Sequence, residues 1–275
     1  MKQGFGLRTY TIIYLLVLYG PIIILPMFAF NDATTVAFPL TGFTTKWFGE
    51  MLADANLRKA LVNSLIVSLS TATLATTLGI LAARSAVRYS WPGKGFVMGS
   101  IMVPLVLPEM IVAMALLVLL LAAGIKLSLF TIILGHVLIA MPFAVAILSS
   151  AFQSLDKSLE EAALDLGASH GQVLRRILLP HLTPALAAGG AIAFFQSIEN
   201  FNVTLFTRGT SNTLTVYVFS KVRSGITPTI NALALMLIVM TLFAATWYEI
   251  LRRRRARVEA AREAEGRRAA AAEEM

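Results

Sequence analysis

Ser158-Leu-Glu-Glu161-Ala162-Ala163-Leu-Asp-Leu-Gly167, followed by Ile177-Leu-Leu179-Pro180, is a charged, turn-punctuated segment between two long hydrophobic runs. Ser158 and Glu161 stand at capping-box spacing, so the serine is expected to cap a helix start while the glutamate reaches back. Leu159, Ala162, Ala163 and Leu166 then supply a small apolar face at helical spacing. Gly167 suits the left-handed residue that stops a helix. Ser169 and Gln172 form a second capping-box pair, ahead of Val173, Leu174, Ile177 and Leu178. Pro180 is predicted to end that helix, and Thr183-Pro184 to restart the next as N-cap and first-turn proline. Two short helices joined by a glycine turn, set between apolar runs, are what a membrane protein needs to present a docking surface to a soluble partner.

The rest of the chain fits that setting. Its 275 residues are 57% hydrophobic and 14% charged, with a mean hydropathy of +0.76, which places it in the integral-membrane class. No cysteine is present, so disulfides, thiolate metal sites and a cysteine nucleophile are excluded. The net charge of +8 points to the membrane surface rather than to nucleic acid, because Arg252, Arg253, Arg254 and Arg255 directly follow an apolar run. The uncharged run from Thr9 to Asn31 follows a short basic region, as in a signal peptide. It is long enough to span, and no small-x-small cleavage site follows at Met27-Phe28-Ala29-Phe30, so an uncleaved anchor is expected.

Apolar runs between charges predict six spans, at 10–30, 60–83, 96–123, 129–151, 184–206 and 229–250. Each has about 20 residues or more, enough to cross ~30 Å of hydrocarbon as a helix. Six spans put both termini, the 2–3 loop and the 4–5 loop on one side, with sixteen Lys and Arg against seven on the other. The positive-inside rule makes that side the cytoplasm. Most of the asymmetry comes from the C-terminal tail, and without it the count is eight against seven. Pro21 and Pro26, Pro104 and Pro108, and Pro142 interrupt the first, third and fourth spans; helix packing is the plain explanation for any one of them. The second span carries Ser64, Ser68, Ser70, Thr71, Thr73, Thr76, Thr77 and Gly79, which read as close-packing residues. Trp47 and Phe48, in the 31–59 segment, read as interfacial anchors, with contact to a soluble partner as the alternative.

The order E-A-A-x3-G-x9-I-x-L-P resembles the cytoplasmic loop of permease subunits from binding-protein-dependent ABC importers, with every defining position filled. The likeness extends through Asn63-Ser64-Leu65, Pro104, Pro108, Glu199-Asn200-Phe201-Asn202 and Asn231-Ala232-Leu233. Within the family it is nearest the spermidine/putrescine-type permeases, through Tyr217-Val-Phe-Ser220 and Arg223-Ser-Gly225-Ile-Thr-Pro228-Thr-Ile-Asn231. The resemblance implies an all-α integral membrane fold of the type I importer permease kind, with six transmembrane helices and both termini cytoplasmic, in a bacterial inner membrane. It implies a permease domain over 1–251, with a coupling loop at 152–183, and a charged tail at 252–275. The first short helix would sit in a groove of an ABC ATPase subunit, and that role falls on Ser158, Glu161, Ala162, Ala163 and Gly167. The implied partners are ATPase subunits, a second and non-identical permease, a periplasmic substrate-binding protein and membrane lipids. The polyamine-type likeness implies spermidine or putrescine as cargo. Related importers of iron, phosphonates, opines and sulfate share the scaffold, and a self-contained secondary carrier or a non-transporting scaffold are further alternatives.

No phosphate-loop spacing G-x4-G-K-S/T occurs, so no cofactor is expected in this chain and ATP would be bound by the partner ATPase. His136, His170 and His181 lack metal-ligand spacing, and His136 reads as a buried, hydrogen-bonded side chain. No catalytic triad is legible, and an enzyme is not expected. Two acids sit well inside spans, Glu109 and Glu199, about 20 Å and about 22 Å from the cytoplasmic edge by helical rise. An ionisable group at such depth is a functional candidate. The two carboxylates are expected to form an acidic collar for a cationic substrate, with Gln196, Asn200 and Asn202 adding polar contacts. The competing expectation is that they bond to backbone freed by Pro104 and Pro108, or stay protonated.

Overall fold

A computed structural model of the chain describes residues 3–34, 36–225 and 227–273. The charge of Lys2, Ile226 of the 223–231 stretch and the last two residues of the tail lie outside the described residues. The described chain is helical: α1 (Gln3–Ala29), α2 (Lys46–Ala53), α3 (Ala55–Arg88), α4 (Lys94–Val106), α5 (Glu109–Ala122), α6 (Leu129–Ser154), α7 (Ser158–Asp165), α8 (His170–Val173), α9 (Leu179–Ile198), α10 (Asn202–Thr207), α11 (Leu214–Ser224) and α12 (Pro228–Glu273). Four helical stretches are long and apolar enough to cross a membrane, and two bent helix pairs raise that number to six. The chain divides into two compact units, Met1–Ala53 with Lys221–Met275, and Asp54–Ser220.

In the first unit, α1 and α2 both pack on α12. The turn between α1 and α2 is tied by Trp47, whose indole N–H donates to the Asn31 carbonyl at 2.7 Å, and by a Lys46–Asp32 ion pair at 2.5 Å. Trp47 is buried, and Phe30 stacks on Phe43 and meets Phe48 at a tilt. The expected interfacial anchor is therefore a buried staple: the indole N–H takes a carbonyl that would otherwise lack a partner. α12 continues as helix beyond the apolar run, through the arginine-rich stretch to Glu273.

In the second unit, α3, α6 and α9 pack on one another, and α10 lies against α5 and α6. Ile80, Ala83, Leu148, Phe152, Val173, Leu178 and Leu182 form one buried cluster, and Ala75, Ala140 and Ala193 a second. Of the small residues on α3 expected to pack closely, Ser64, Ser68, Thr71 and Gly79 are buried, Ser68 bonding back to the Ser64 carbonyl at 2.7 Å. Thr73 and Thr77 are instead exposed and bond back to carbonyls of their own helix. Gly135 of α6 is closely approached by its neighbours: an added Cβ would overlap Val203 Cγ1 and stand 2.9 Å from Leu116 Cδ2. Gly135→Ala is therefore expected to cost about 1–3 kcal/mol by overpacking. The check is a lower melting temperature of the purified, detergent-solubilised chain.

Three boundaries differ from the expected ones. The third span is not one helix: α4 and α5 meet at 115°, across Leu107 and Pro108. The fifth stops at Ile198, and its expected last turns are a separate helix, α10. Pro180 does not end a helix, nor does Pro184 start one, because His170–Ile198 runs as a single helical stretch. A π-turn at Leu174–Leu178, closed by the Leu179 N–H to the Leu174 carbonyl, carries the chain into the proline. Its wider register removes the demand for a four-residue bond at this point, which is what a proline would break.

Candidate functional site

The first candidate site is α7. The helix starts on Asp156, whose Oδ1 accepts from the Ser158 backbone N–H at 2.9 Å. Ser158 is thus a helical residue and not the cap, and the expected Ser158–Glu161 capping box does not form. The Glu161 N–H that the box would have satisfied bonds the Lys157 carbonyl at 3.2 Å, and the Asp156 carboxylate takes the Ser158 N–H. That bond, with a second to the Ser158 side chain, holds the Asp156 carboxyl below the usual carboxylate range. Its stabilising effect on α7 is therefore present above the ordinary aspartate pKa and lost as pH falls through the depressed one. Asp156→Ala is expected to fray the start of α7, read as faster amide exchange at Glu160 and Glu161. Glu161 instead pairs with Lys157 at 2.8 Å on the exposed surface, an interaction that raises the lysine pKa.

The helix stops as expected at Gly167, which adopts φ +83°. The Gly167 N–H reaches the Leu164 carbonyl at 2.9 Å and the Ala168 N–H the Ala163 carbonyl at 3.0 Å. These two bonds are the Schellman stop, and they need a residue in the left-handed region. The capping box Ser169–Gln172 is formed, and starts α8. The apolar face is divided differently from expectation. Leu159, Ala162 and Leu166 face outward, Leu166 being 89% exposed, while Ala163 and Leu164 pack inward on the Phe152 cluster and Glu160 is buried. Beside the outward face lies a cavity of about 300 Å³, lined by Leu166, Gly167, Ala168, Gln172, Val173, Arg176 and Ile177. The eight-residue helix thus carries an outward apolar edge beside a recess.

The second candidate site lies where two helices break. Pro108 ends the α4–α5 bend and leaves Glu109 as the first residue of α5, where the helix dipole favours a carboxylate. The break between α9 and α10 presents Asn200 and Asn202 to it. The Asn200 amide donates to one oxygen of Glu109, and the Asn202 amide donates to the other at 3.2 Å. Asn200 is fixed in turn, since its Oδ1 accepts from the Val203 N–H at 3.0 Å. No cationic side chain pairs with Glu109 among the described residues. Glu199 is exposed and Gln196 half-buried, and neither joins this cluster. Of the two acids expected to form a collar, Glu109 is held between two amides, and Glu199, next to Asn200 in the chain, is exposed. No bond from Glu109 to backbone freed by the prolines is present among the described residues.

His136 on α6 supports the same break. Its Nδ1 lies 2.7 Å from Ser197 Oγ and its Nε2 lies 2.9 Å from Thr204 Oγ1. Thr204 donates its one proton to the Asn200 carbonyl at 2.9 Å. The threonine must then accept from the histidine, which sets the ring as Nε2–H with Nδ1 accepting from Ser197. Sequence reading anticipated a buried, hydrogen-bonded histidine but not these partners, 61 and 68 residues away. Among the described residues, no group of three His, Asp or Glu side chains is placed to hold a metal ion.

Residues 75–257 match the family described as "Binding-protein-dependent transport system inner membrane component". The chain is 36% identical over 243 residues to the spermidine/putrescine transport system permease protein PotC of Escherichia coli, covering 88% of this chain and 90% of that protein. It is 34% identical over 251 residues to the putrescine transport system permease protein PotI of the same organism, covering 88% and 89%. Among solved structures, it resembles a bacterial ABC transporter involved in import of the acidic polysaccharide alginate, with a TM-score of 0.67 at 13% identity, over 91% of this chain and 96% of that one. It also resembles the MetNI methionine ABC transporter, with a TM-score of 0.56 at 16% identity, over 70% and 90%.

Proposed function

The chain belongs to the family of binding-protein-dependent transport system inner membrane components, as a permease subunit of an ABC importer, and on that premise we propose that its cargo is a polyamine. The observation that carries the reading is the Glu109 carboxylate, gripped by two amides and paired with no cation among the described residues. A diamine or triamine brings an ammonium group that would complete that site, whereas an anion would meet like charge there. The relatives named for spermidine and putrescine transport, similar over most of both chains, support the same cargo.

In this reading both termini and α7 face the cytoplasm, as the excess of Lys and Arg on that side supports. Leu159, Ala162 and Leu166 of α7 seat in an ABC ATPase subunit, with Glu161 at the edge of the contact and Gly167 fixing the helix end. ATP is hydrolysed by that subunit. A periplasmic binding protein delivers the substrate, and a second, non-identical permease supplies the other half of the pathway. The test is uptake of radiolabelled putrescine and spermidine into proteoliposomes holding this chain, its ATPase and a second permease, with binding protein outside. ATP-dependent polyamine uptake is expected. Uptake confined to sulfate or a phosphonate would overturn the cargo, and uptake without ATPase or binding protein would make the chain a secondary carrier. A functional complex with this chain as its sole membrane subunit would overturn the non-identical partner.

A further inference from the structure

Glu160 precedes the glutamate of the E-A-A order, yet it is the acid that α7 buries. Its side chain is 11% exposed and faces two arginines one turn apart on α3. Arg88 Nε donates to Glu160 Oε1 at 2.5 Å, and Arg84 Nη2 stands 4.0 Å from Oε2. Arg88 also donates through Nη2 to the Leu155 carbonyl at 2.9 Å, so one guanidinium holds both the end of α6 and the start of α7. Its own side chain is 10% exposed, against about 60% for the neighbouring Lys157–Glu161 pair (63% and 59%). The exposed pair is screened and yields easily, while the enclosed one is not.

Enclosure decides how α7 can move. A helix of eight residues has little stability of its own. To shift without its arginine it would leave a buried charge uncompensated, which is strongly unfavourable. α3, by contrast, is 34 residues long and packs along α6 and α9. Near its other end Asn63 Nδ2 donates to the Asn212 carbonyl at 2.9 Å, and Ser64 Oγ accepts from the Leu214 N–H at 2.8 Å. α3 therefore grips α7 at one end and, at the other, the loop that leaves α10, the helix whose Asn202 reaches Glu109.

We infer that the Glu160–Arg88 pair is the joint through which displacement of α7 is passed to α3, making both residues positioning residues for the coupling of ATP hydrolysis to transport. The inference rests on α7 being the element that docks on the ATPase. The readout is the number of putrescine molecules imported per ATP hydrolysed in proteoliposomes holding the full assembly. A merely structural loss lowers both rates together and leaves this ratio alone. Glu160→Gln and Arg88→Gln are each expected to lower it by roughly fivefold or more, the lower end of ordinary coupling energies. Exchange of the charges, Glu160→Arg with Arg88→Glu, is expected to restore at least half of the wild-type ratio. A wild-type ratio in either assembled single variant overturns the inference, as does an assembled exchange variant with a ratio no better than the singles. If the single variants do not assemble, the exchange variant alone decides. The chain has no native cysteine, so Ala162→Cys gives one cross-linking position on the exposed face of α7. A cross-link to the ATPase with an unchanged ratio in Glu160→Gln defeats only the joint; absence of the cross-link defeats the docking of α7 itself.

Discussion

Gly167→Val is expected to reduce transport by roughly tenfold or more while the chain still inserts, because strain of a few kcal/mol at one residue is enough to shift a local equilibrium that far. The cause is conformational and not spatial. Nothing lies within 4 Å of where a Cβ would stand, so bulk as such meets no obstacle. The backbone at φ +83° is the difficulty, since a β-branched side chain resists the left-handed region more than any other kind. Relaxing that angle breaks the two bonds that end α7 at Leu164 and Ala163, and turns Leu166 away from its neighbours on the outward face. A graded series separates this from simple obstruction of the partner. Asparagine tolerates the left-handed region, so Gly167→Asn should retain most uptake, Gly167→Ala should fall between, and Gly167→Val should be worst. Wild-type uptake together with co-purification of the ATPase in the valine variant would remove Gly167 from the coupling mechanism. Equal damage from asparagine and valine would show that surface bulk, and not backbone conformation, is what matters.

The sequence carried the class of the molecule and the local chemistry of the loop, but not the pairing of distant residues. The hydrophobic runs anticipated the long helices because apolar length is a one-dimensional property. The stop at Gly167 and the Ser169–Gln172 box were legible for the same reason: each involves residues within a few positions of one another. Pro108 was visible as an interruption, but a bend of 115° is set by what α5 packs against, and α10 comes from 80 residues further along the chain. At Pro180 the reading failed because helix-stop rules assume a four-residue hydrogen-bond register, which the π-turn at Leu174–Leu178 does not keep. The start of α7 falls earlier than assigned: the Asp156 carboxylate accepts from the Ser158 N–H, and the Glu161 N–H bonds the Lys157 carbonyl, so no N–H is left for the Ser158 hydroxyl to cap. Glu160 escaped notice because adjacent acids in a sequence look alike. Only the fold brings Arg84 and Arg88 to one of them and leaves Glu161 exposed. Likewise nothing in the order of residues distinguishes Glu109 from Glu199, two acids in apolar runs. The packing of α5 against α10 separates a clamped carboxylate from an exposed one.

That separation sets the second large effect. Glu109→Gln replaces a carboxylate by an amide of nearly the same shape, and the amide carbonyl retains an acceptor for the Asn200 side chain, so the helix break should survive. What disappears is the negative charge and one of the two acceptors. A hydrogen bond to a charged group contributes about 1.5–3 kcal/mol, which corresponds to roughly a tenfold to hundredfold loss of affinity for an ammonium group at this point in the pathway. In an importer fed by a separate binding protein, the concentration dependence of uptake is set mainly by that protein's affinity. Loss of the pathway carboxylate should therefore lower the maximal rate of putrescine and spermidine uptake by roughly tenfold or more and leave the half-saturating concentration nearly unchanged. Glu199→Gln should have a much smaller effect, because that side chain is exposed and stands outside the amide clamp. Asn202→Ala should fall between the two, since it frees one oxygen of Glu109 while keeping the charge. Radiolabelled uptake against substrate concentration in proteoliposomes, with assembly checked by co-purification, measures all three. Glu109→Gln transporting polyamines at the wild-type maximal rate would remove the carboxylate from the pathway, and a larger loss in Glu199→Gln would place the recognition of the cation on the exposed acid instead.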